Sequence, residues 1–127
     1  MMSFLQMQLY RGEIVLCQVP MPSTQLQQFK LRPAAIVSSD RLNRILDDVM
    51  VVPCTSNTNR LLTATQFLIS GNEIAIAGIK VSSVVRCESI FTLNKAMVLR
   101  KLGSLSPAAI NALEICLKTA LSIDGNN

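Results

Sequence analysis

The sequence predicts a small α+β domain in which short strands form a partly open barrel and one longer helix closes the chain. Apolar runs of strand length recur through much of the 127 residues, and turn-forming residues separate them. The last long segment shows helical periodicity instead. Because a helix does not follow each strand, a small barrel is favoured over a doubly wound parallel sheet.

The first strand is predicted over Glu13 to Val19, since Arg11-Gly12 precedes this apolar run and Pro20 follows it. Residues 20–29 contain two prolines and several glutamines or small polar residues. Proline cannot donate to a sheet ladder, so this segment is predicted to be an exposed loop that bends over a neighbouring groove.

The second strand is predicted over Ala34 to Val37, and the third begins at Asp47-Asp48 and runs to Cys54. Between them, Ser38-Ser39-Asp40 is a natural N-cap for a short helix over Arg41 to Leu46. Proline disfavours the α region for the residue before it, so Arg32 should be extended.

A fourth strand is expected over Thr63 to Ile69, and a later one over Val81 to Glu88. Ser70-Gly71-Asn72 reads as a turn, whereas the pattern of residues 73–80 does not favour one structure. Arg86 should point to the side opposite its apolar neighbour in the strand.

From Thr92 onwards, the spacing of the apolar residues becomes typical of a helix. Residues 92–95 are predicted to cap a short helix through Leu102, which Gly103 would end in the left-handed conformation. Ser106-Pro107 then begins a longer helix, with serine as N-cap and proline in the first turn. Its apolar face is expected to comprise Ile110, Leu113, Leu117, Ala120 and Leu121. The chain is thus one domain, with residues 1–9 as an N-terminal extension and residues 124–127 as a frayed tail.

Composition excludes several kinds of site. The chain has no histidine, and its four cysteines are widely spaced without a CxxC pair, so we predict neither a zinc site nor a disulfide framework, and no cofactor. The five glycines are isolated, which excludes a phosphate-binding glycine loop. The eight carboxylates form no paired-acid signature. No apolar run approaches the roughly 18 residues of a membrane span, and no signal peptide is evident, so the protein is predicted to be cytoplasmic.

The functional groups that remain as candidates are arginines close to hydroxyl side chains, and these two groups together can bind phosphate. Arg32 lies just before the second predicted strand and Thr55 just after the third. If those strands are antiparallel neighbours, both side chains fall at the same end of the sheet and share a site. Taken alone, these two residues have a simpler interpretation: a surface ion pair of Arg32 with Asp47 or Asp48 is favoured over catalysis, and Thr55 is an ordinary turn hydroxyl.

Six segments occur in an order that resembles the PemK/MazF family of bacterial type II toxins, in its PemK-like branch, over about Arg11 to Leu121. They are RGEIV, the proline-containing PMPST, KLRPAAIVSSD, VPCTSNT, GIKVSSVVRCESIFTLNK and VLRKLGSLSP. The resemblance implies an SH3-like, CcdB/PemK-type barrel that forms a homodimer. It also implies a metal-independent endoribonuclease that cleaves single-stranded RNA and is neutralised by a cognate antitoxin, the complex of the two binding operator DNA.

Carried over by position, the family's catalytic pair falls on Arg32 and Thr55, with Ser56 beside them as a further donor. Attack by the 2′-hydroxyl would leave a 2′,3′-cyclic phosphate and a 5′-hydroxyl. Other residues are candidates for RNA binding, although a solvated charged face explains the basic ones equally well. They are Lys30, Arg41, Arg44 and Arg60 for backbone phosphates, and Gln25, Gln27, Gln28 and Phe29 for bases.

Two other function classes stay open. One is a non-enzymatic inhibitor on the same barrel, like the related gyrase poison CcdB, which grips its target through its C-terminus. Another is a DNA-binding regulatory partner without toxicity. The other branch's E-Q-I-R-T motif appears here as Glu88-Ser89-Ile90-Phe91-Thr92, so the role of that arginine does not carry over.

Overall fold

The computed structural model describes residues 7–20 and 28–123, and in these ranges the chain forms seven strands and three α-helices. The strands are β1 (Glu13–Pro20), β2 (Phe29–Ile36), β3 (Asp48–Thr55), β4 (Gln66–Ile69), β5 (Ser83–Arg86), β6 (Phe91–Asn94) and β7 (Val98–Ser104). The helices are α1 (Asp40–Ile45), α2 (Asn72–Ala77) and α3 (Pro107–Leu121), with a 3-10 turn over Lys95–Met97.

All strand pairs are antiparallel, and the sheet has the order β4-β5-β3-β2-β1-β7, with β6 paired to the first half of β3. β3 therefore pairs with β6 at its start and with β5 at its end. A strand that pairs with two successive partners along one edge bends the sheet around a core. The fold is an open, bent antiparallel sheet with helices, which confirms the predicted α+β class.

Two apolar clusters fill the two sides of the bent sheet. The first lies under α3 and contains Ile14, Val52, Val85 and Leu113. The second contains Val15, Ile36, Val51 and Leu93 on the opposite faces of the same strands. Side chains that alternate between two buried faces explain why the strands read as continuous apolar runs.

The four cysteines are buried in the core as free thiols. Cys54 lies in the first cluster, where burial, together with the nearby Cys17 and Cys87, raises its pKa to about 12. A thiol with so high a pKa is a poor nucleophile at neutral pH.

α3 is confirmed with Ser106 as its N-cap: the Ser106 hydroxyl accepts a hydrogen bond from the backbone N–H of Ala109. Its buried residues are Ala109, Leu113 and Cys116, so the buried face is turned slightly from the predicted one, and Leu121 is exposed. Arg11 ties this helix to the sheet, because its guanidinium reaches Glu114 at 2.9 Å and the carbonyl of Val37 at 3.2 Å.

The helix predicted through Leu102 is wrong. Only Lys95–Met97 forms a 3-10 turn, and the chain then continues as β7, which pairs with β1. Ladder hydrogen bonds to β1 outweigh a weak local helical preference. Gly103 ends no helix; a Cβ there would lie 2.4 Å from the carbonyl oxygen of Ile76, so glycine permits close contact with α2.

Other boundaries differ by a few residues. β2 begins at Phe29 and not at Ala34, and β4 and β5 are shorter than predicted. The segment with no favoured structure contains α2. Leu9 is 1% exposed and packs in the second cluster, so part of the expected extension belongs to the core. Residues 124–127, the expected frayed tail, lie outside the described residues. No helix in the described ranges is long and apolar enough to cross a membrane.

Candidate active site

Two prolines mark the point where β2 and β3 separate. The two strands pair only from Ala34 opposite Pro53 to Ile36 opposite Val51. Proline has no N–H to donate to a ladder, and Pro33 and Pro53 both stand at the end of this paired segment. Beyond them the strands are no longer bonded to each other, which leaves room for a pocket.

That pocket has a volume of about 430 Å³ and opens between the separated strands. Arg32 of β2 and Thr55 of β3 both line it. Continuing the β2–β3 register by two residues sets these two residues level with each other on one face of the sheet. The remaining lining residues are Val19, Pro20, Pro53, Cys54, Arg86, Ser89, Ile90 and Phe91.

Arg32 is half-buried and lies within β2, whereas the sequence predicted it just before the strand. Among the described residues it forms no ion pair with Asp47, Asp48 or any other carboxylate. Its guanidinium is therefore not neutralised by a neighbouring acid in the described part of the chain, and it can serve an anion in the pocket.

Thr55 ends β3 and is half-buried. Its Oγ1 accepts a hydrogen bond of 3.2 Å from the backbone N–H of Asn57. Because the hydroxyl oxygen already acts as an acceptor there, its proton is oriented away from that amide and is available to a further acceptor. A phosphate oxygen in the pocket is such an acceptor.

A second pocket of about 110 Å³ adjoins the first. Thr55 and Arg86 line both pockets, so these two residues form the boundary between them. The other residues of the second pocket are Asn57, Arg60, Gln66 and Val84. Among residues 7–20 and 28–123, no carboxylate lines either pocket, whereas two guanidinium groups line each of them.

Arg86 lines both pockets, although the sequence did not single it out as a candidate for binding. Its Nε donates a hydrogen bond of 3.1 Å to Glu88, which also accepts from Thr65 and Gln66, each at 2.8 Å. Partial burial raises the pKa of the Glu88 carboxyl, but hydrogen bonds from Gln66, its own amide, Thr65 and Arg86 outweigh burial and lower it. Glu88 is thus a weak base at neutral pH.

The other predicted residues are distributed around this site. Arg60 lines the second pocket. Lys30 is exposed two residues before Arg32 on the same face of β2, and Ser56 is exposed beside Thr55. Phe29 is 51% exposed and lies opposite Pro20, at the edge of the larger pocket.

Gln28 is exposed next to Phe29, whereas Gln25 and Gln27 lie outside the described residues. Arg41 and Arg44 lie on α1, which follows the opposite end of β2, and neither lines a pocket. From Arg32 to the end of β2 at Ile36 the strand already spans about 13 Å. Within residues 7–20 and 28–123, no three His, Cys, Asp or Glu side chains are grouped to hold a metal ion.

Comparison with known proteins gives one family. Residues 10–121 match the model of the PemK-like, MazF-like toxins of type II toxin-antitoxin systems. Solved structures agree with this match. An endoribonuclease from a mycobacterial species is 25% identical, with a TM-score of 0.72 over 92% of this chain and 94% of its own.

A mycobacterial endoribonuclease in complex with its cognate antitoxin is 26% identical, with a TM-score of 0.73 over 91% of this chain and 97% of its own. The Mycobacterium tuberculosis toxin MazF-mt6 is 25% identical, with a TM-score of 0.70 over 88% of this chain and 98% of its own. The similarity therefore covers both chains almost completely.

Proposed function

Because the chain belongs to the PemK-like, MazF-like toxin family of type II toxin-antitoxin systems, we propose that it is a toxin that cleaves single-stranded RNA. One observation carries the proposal: Arg32 and Thr55, which come from different strands, line the same pocket. The Arg32 guanidinium is permanently charged and the Thr55 hydroxyl has a proton to donate, so together they can bind the oxygens of a phosphodiester.

The proposed reaction is transesterification within the RNA. The 2′-oxygen forms a bond to the neighbouring phosphorus, the bond from phosphorus to the 5′-oxygen breaks, and the 2′-hydroxyl proton leaves as the 5′-oxygen gains one. The products are a 2′,3′-cyclic phosphate and a 5′-hydroxyl. DNA lacks the nucleophile and is not cleaved.

The roles of the two residues follow from the charge that develops on the phosphorus oxygens. The Arg32 guanidinium neutralises the non-bridging oxygens and assists proton transfer, while the Thr55 hydroxyl donates a hydrogen bond to the same oxygens. Glu88 is not the general base in this scheme, because three side-chain donors already occupy its carboxylate. The reaction needs no metal ion.

The two guanidinium groups of the larger pocket also suit an acidic protein segment. We propose that the partner is a cognate antitoxin whose acidic segment covers this pocket and competes with RNA. The toxin would act as a cytoplasmic homodimer, and its complex with the antitoxin would bind operator DNA.

The test is incubation of purified protein with single-stranded RNA in the presence of EDTA, followed by analysis of the new ends. We expect cleavage that leaves cyclic-phosphate ends, no cleavage of DNA of the same sequence, and loss of cleavage in Arg32→Ala. Arg100→Ala is the matched control, because Arg100 is an exposed strand arginine that lines neither pocket. Intact RNA at high protein concentration, or equal cleavage by Arg32→Ala, would refute the proposal.

A further inference from the structure

The second pocket has no role in the reaction just described, although it shares its boundary with the proposed active site. Thr55 and Arg86 line both pockets, and Arg60, Asn57 and Gln66 complete the polar lining of the smaller one. The two guanidinium groups supply donors that a phosphate group accepts from, and the Asn57 amide adds another, whereas the Gln66 amide already donates to Glu88 at 2.8 Å.

Strand register fixes the position of Arg86 relative to Thr55. Thr55 lies opposite Val84, and Arg86 follows two residues later on the same face of β5. Ordinary sheet spacing then separates the Cα atoms of Thr55 and Arg86 by about 8 Å. Gln66 lies directly opposite Arg86 on β4, so all of these side chains project from one surface of the sheet.

The Arg86 guanidinium is held in place without being fully used. Only its Nε donates to Glu88, at 3.1 Å, and 46% of its side chain is exposed. Hydrogen bonds from Thr65 and Gln66 fix the Glu88 carboxylate in turn. Arg86 is thus oriented in advance, and its two terminal nitrogens are free of protein partners in the described part of the chain.

We propose that the second pocket binds the RNA phosphate next to the one that is cleaved, with Arg86 as its principal ligand and Arg60 as a second cation. This inference rests on the proposed ribonuclease function and adds a subsite to it. Glu88 is a positioning residue that aims Arg86. The competing explanation is that Arg86 only helps to hold Glu88, whose hydrogen bonds from Thr65 and Gln66 join the end of β5 to β4.

The predicted kinetic signature separates the two explanations. A contact to a phosphate that does not react stabilises the bound RNA and the transition state equally, so its loss raises KM and leaves kcat nearly unchanged. We expect KM to rise about tenfold in Arg86→Gln, which is the loss of one charge-assisted contact. The slope of log affinity for RNA against log salt concentration should become shallower by about one, the value for one phosphate contact.

The decisive experiment uses short RNAs in which single linkages carry a neutral methylphosphonate. The linkage that the wild-type protein cleaves is mapped first and is protected by a 2′-deoxy sugar, so that binding is measured without cleavage. Neutralising the adjacent linkage on one side should weaken wild-type binding about tenfold. The same change should leave binding by Arg86→Gln unaltered, while Arg100→Gln behaves as wild type.

The outcomes distinguish failure of the subsite from failure of the ribonuclease. If the wild-type protein cleaves RNA but Arg86→Gln keeps the wild-type KM and the same sensitivity to the neutral linkage, the subsite is refuted and Arg86 is structural. If the wild-type protein cleaves no RNA, the ribonuclease and the subsite are refuted together. Urea unfolding of each variant confirms that binding losses do not come from unfolding.

Discussion

Replacement of Thr55 by valine removes one hydroxyl and preserves the shape and β-branching that suit a strand. In the free protein this hydroxyl accepts a single exposed hydrogen bond of 3.2 Å from the Asn57 amide. Its loss should therefore lower the free energy of unfolding by no more than about 1 kcal/mol. In the proposed transition state, however, the hydroxyl donates to a phosphorus oxygen inside the pocket.

Loss of one preorganised donor of this kind costs on the order of 10²-fold or more in rate, about 2.7 kcal/mol of transition-state stabilisation. Thr55→Val should accordingly cleave RNA at least about 10²-fold more slowly in single-turnover assays, with a nearly unchanged urea midpoint. Thr55→Ser keeps the hydroxyl and should remain active.

The matched control is Thr119→Val, which also removes one exposed hydroxyl hydrogen bond, to the Ile115 carbonyl at 3.0 Å on α3. It should cleave at the wild-type rate. A folded Thr55→Val protein that cleaves within about threefold of the wild type would show that the hydroxyl does not act on the phosphate.

Gly103→Ala should destabilise the protein by about 1–3 kcal/mol in urea unfolding, because its Cβ would lie 2.4 Å from the backbone oxygen of Ile76. Asn43→Ala should cost about 1–3 kcal/mol, since the buried Ser38 hydroxyl proton loses its acceptor and the Ser38 carbonyl loses the Asn43 amide donor. Stability should also fall above pH 9.0, by about 1.4 kcal/mol per pH unit for Cys54, because the unfolded thiol ionises while the buried one, with a pKa of about 12, stays protonated.

Each of these three predictions has its own check. Ser104→Ala, at the exposed neighbour of Gly103, should leave stability within about 0.5 kcal/mol of the wild type. Cys54→Ala should make the decline above pH 9.0 less steep by about 1.4 kcal/mol per pH unit, while Cys17 and Cys87, whose pKa values burial also raises, keep their share of it. An unchanged slope would contradict the assignment. Equal urea midpoints for Asn43→Ala and the wild type would show that the Ser38 groups find other partners.

Much of the fold followed from local patterns that the tertiary structure did not oppose. β1, β3 and α3 were predicted close to their observed bounds, because apolar runs with clear turn residues or a serine N-cap mark them. The stretch from Val98 to Leu102 failed for the opposite reason. Its helical spacing is weak, and the available edge of β1 decides its structure.

The candidate site, too, could be predicted from the sequence only in part. Arg32 and Thr55 line one pocket because the start of β2 lies beside the end of its antiparallel neighbour β3. Predicting this placement requires only that the two strands are neighbours. Arg86 could be predicted to face away from the core, since it alternates with Val85. Which residues it would face depends on the pairing of β5 with both β3 and β4, and no local pattern encodes that pairing.

The central claim is that Arg32 and Thr55 act on one phosphate, and a double-mutant cycle on the single-turnover cleavage rate tests it most directly. Arg32→Gln and Thr55→Val are measured alone and together. If both groups stabilise the same transition-state charge, the losses are not additive, and the double variant should cleave within about tenfold of the slower single variant. If the losses multiply in full, toward about 10⁴-fold for two losses of 10² each, the two residues act independently and the account is contradicted.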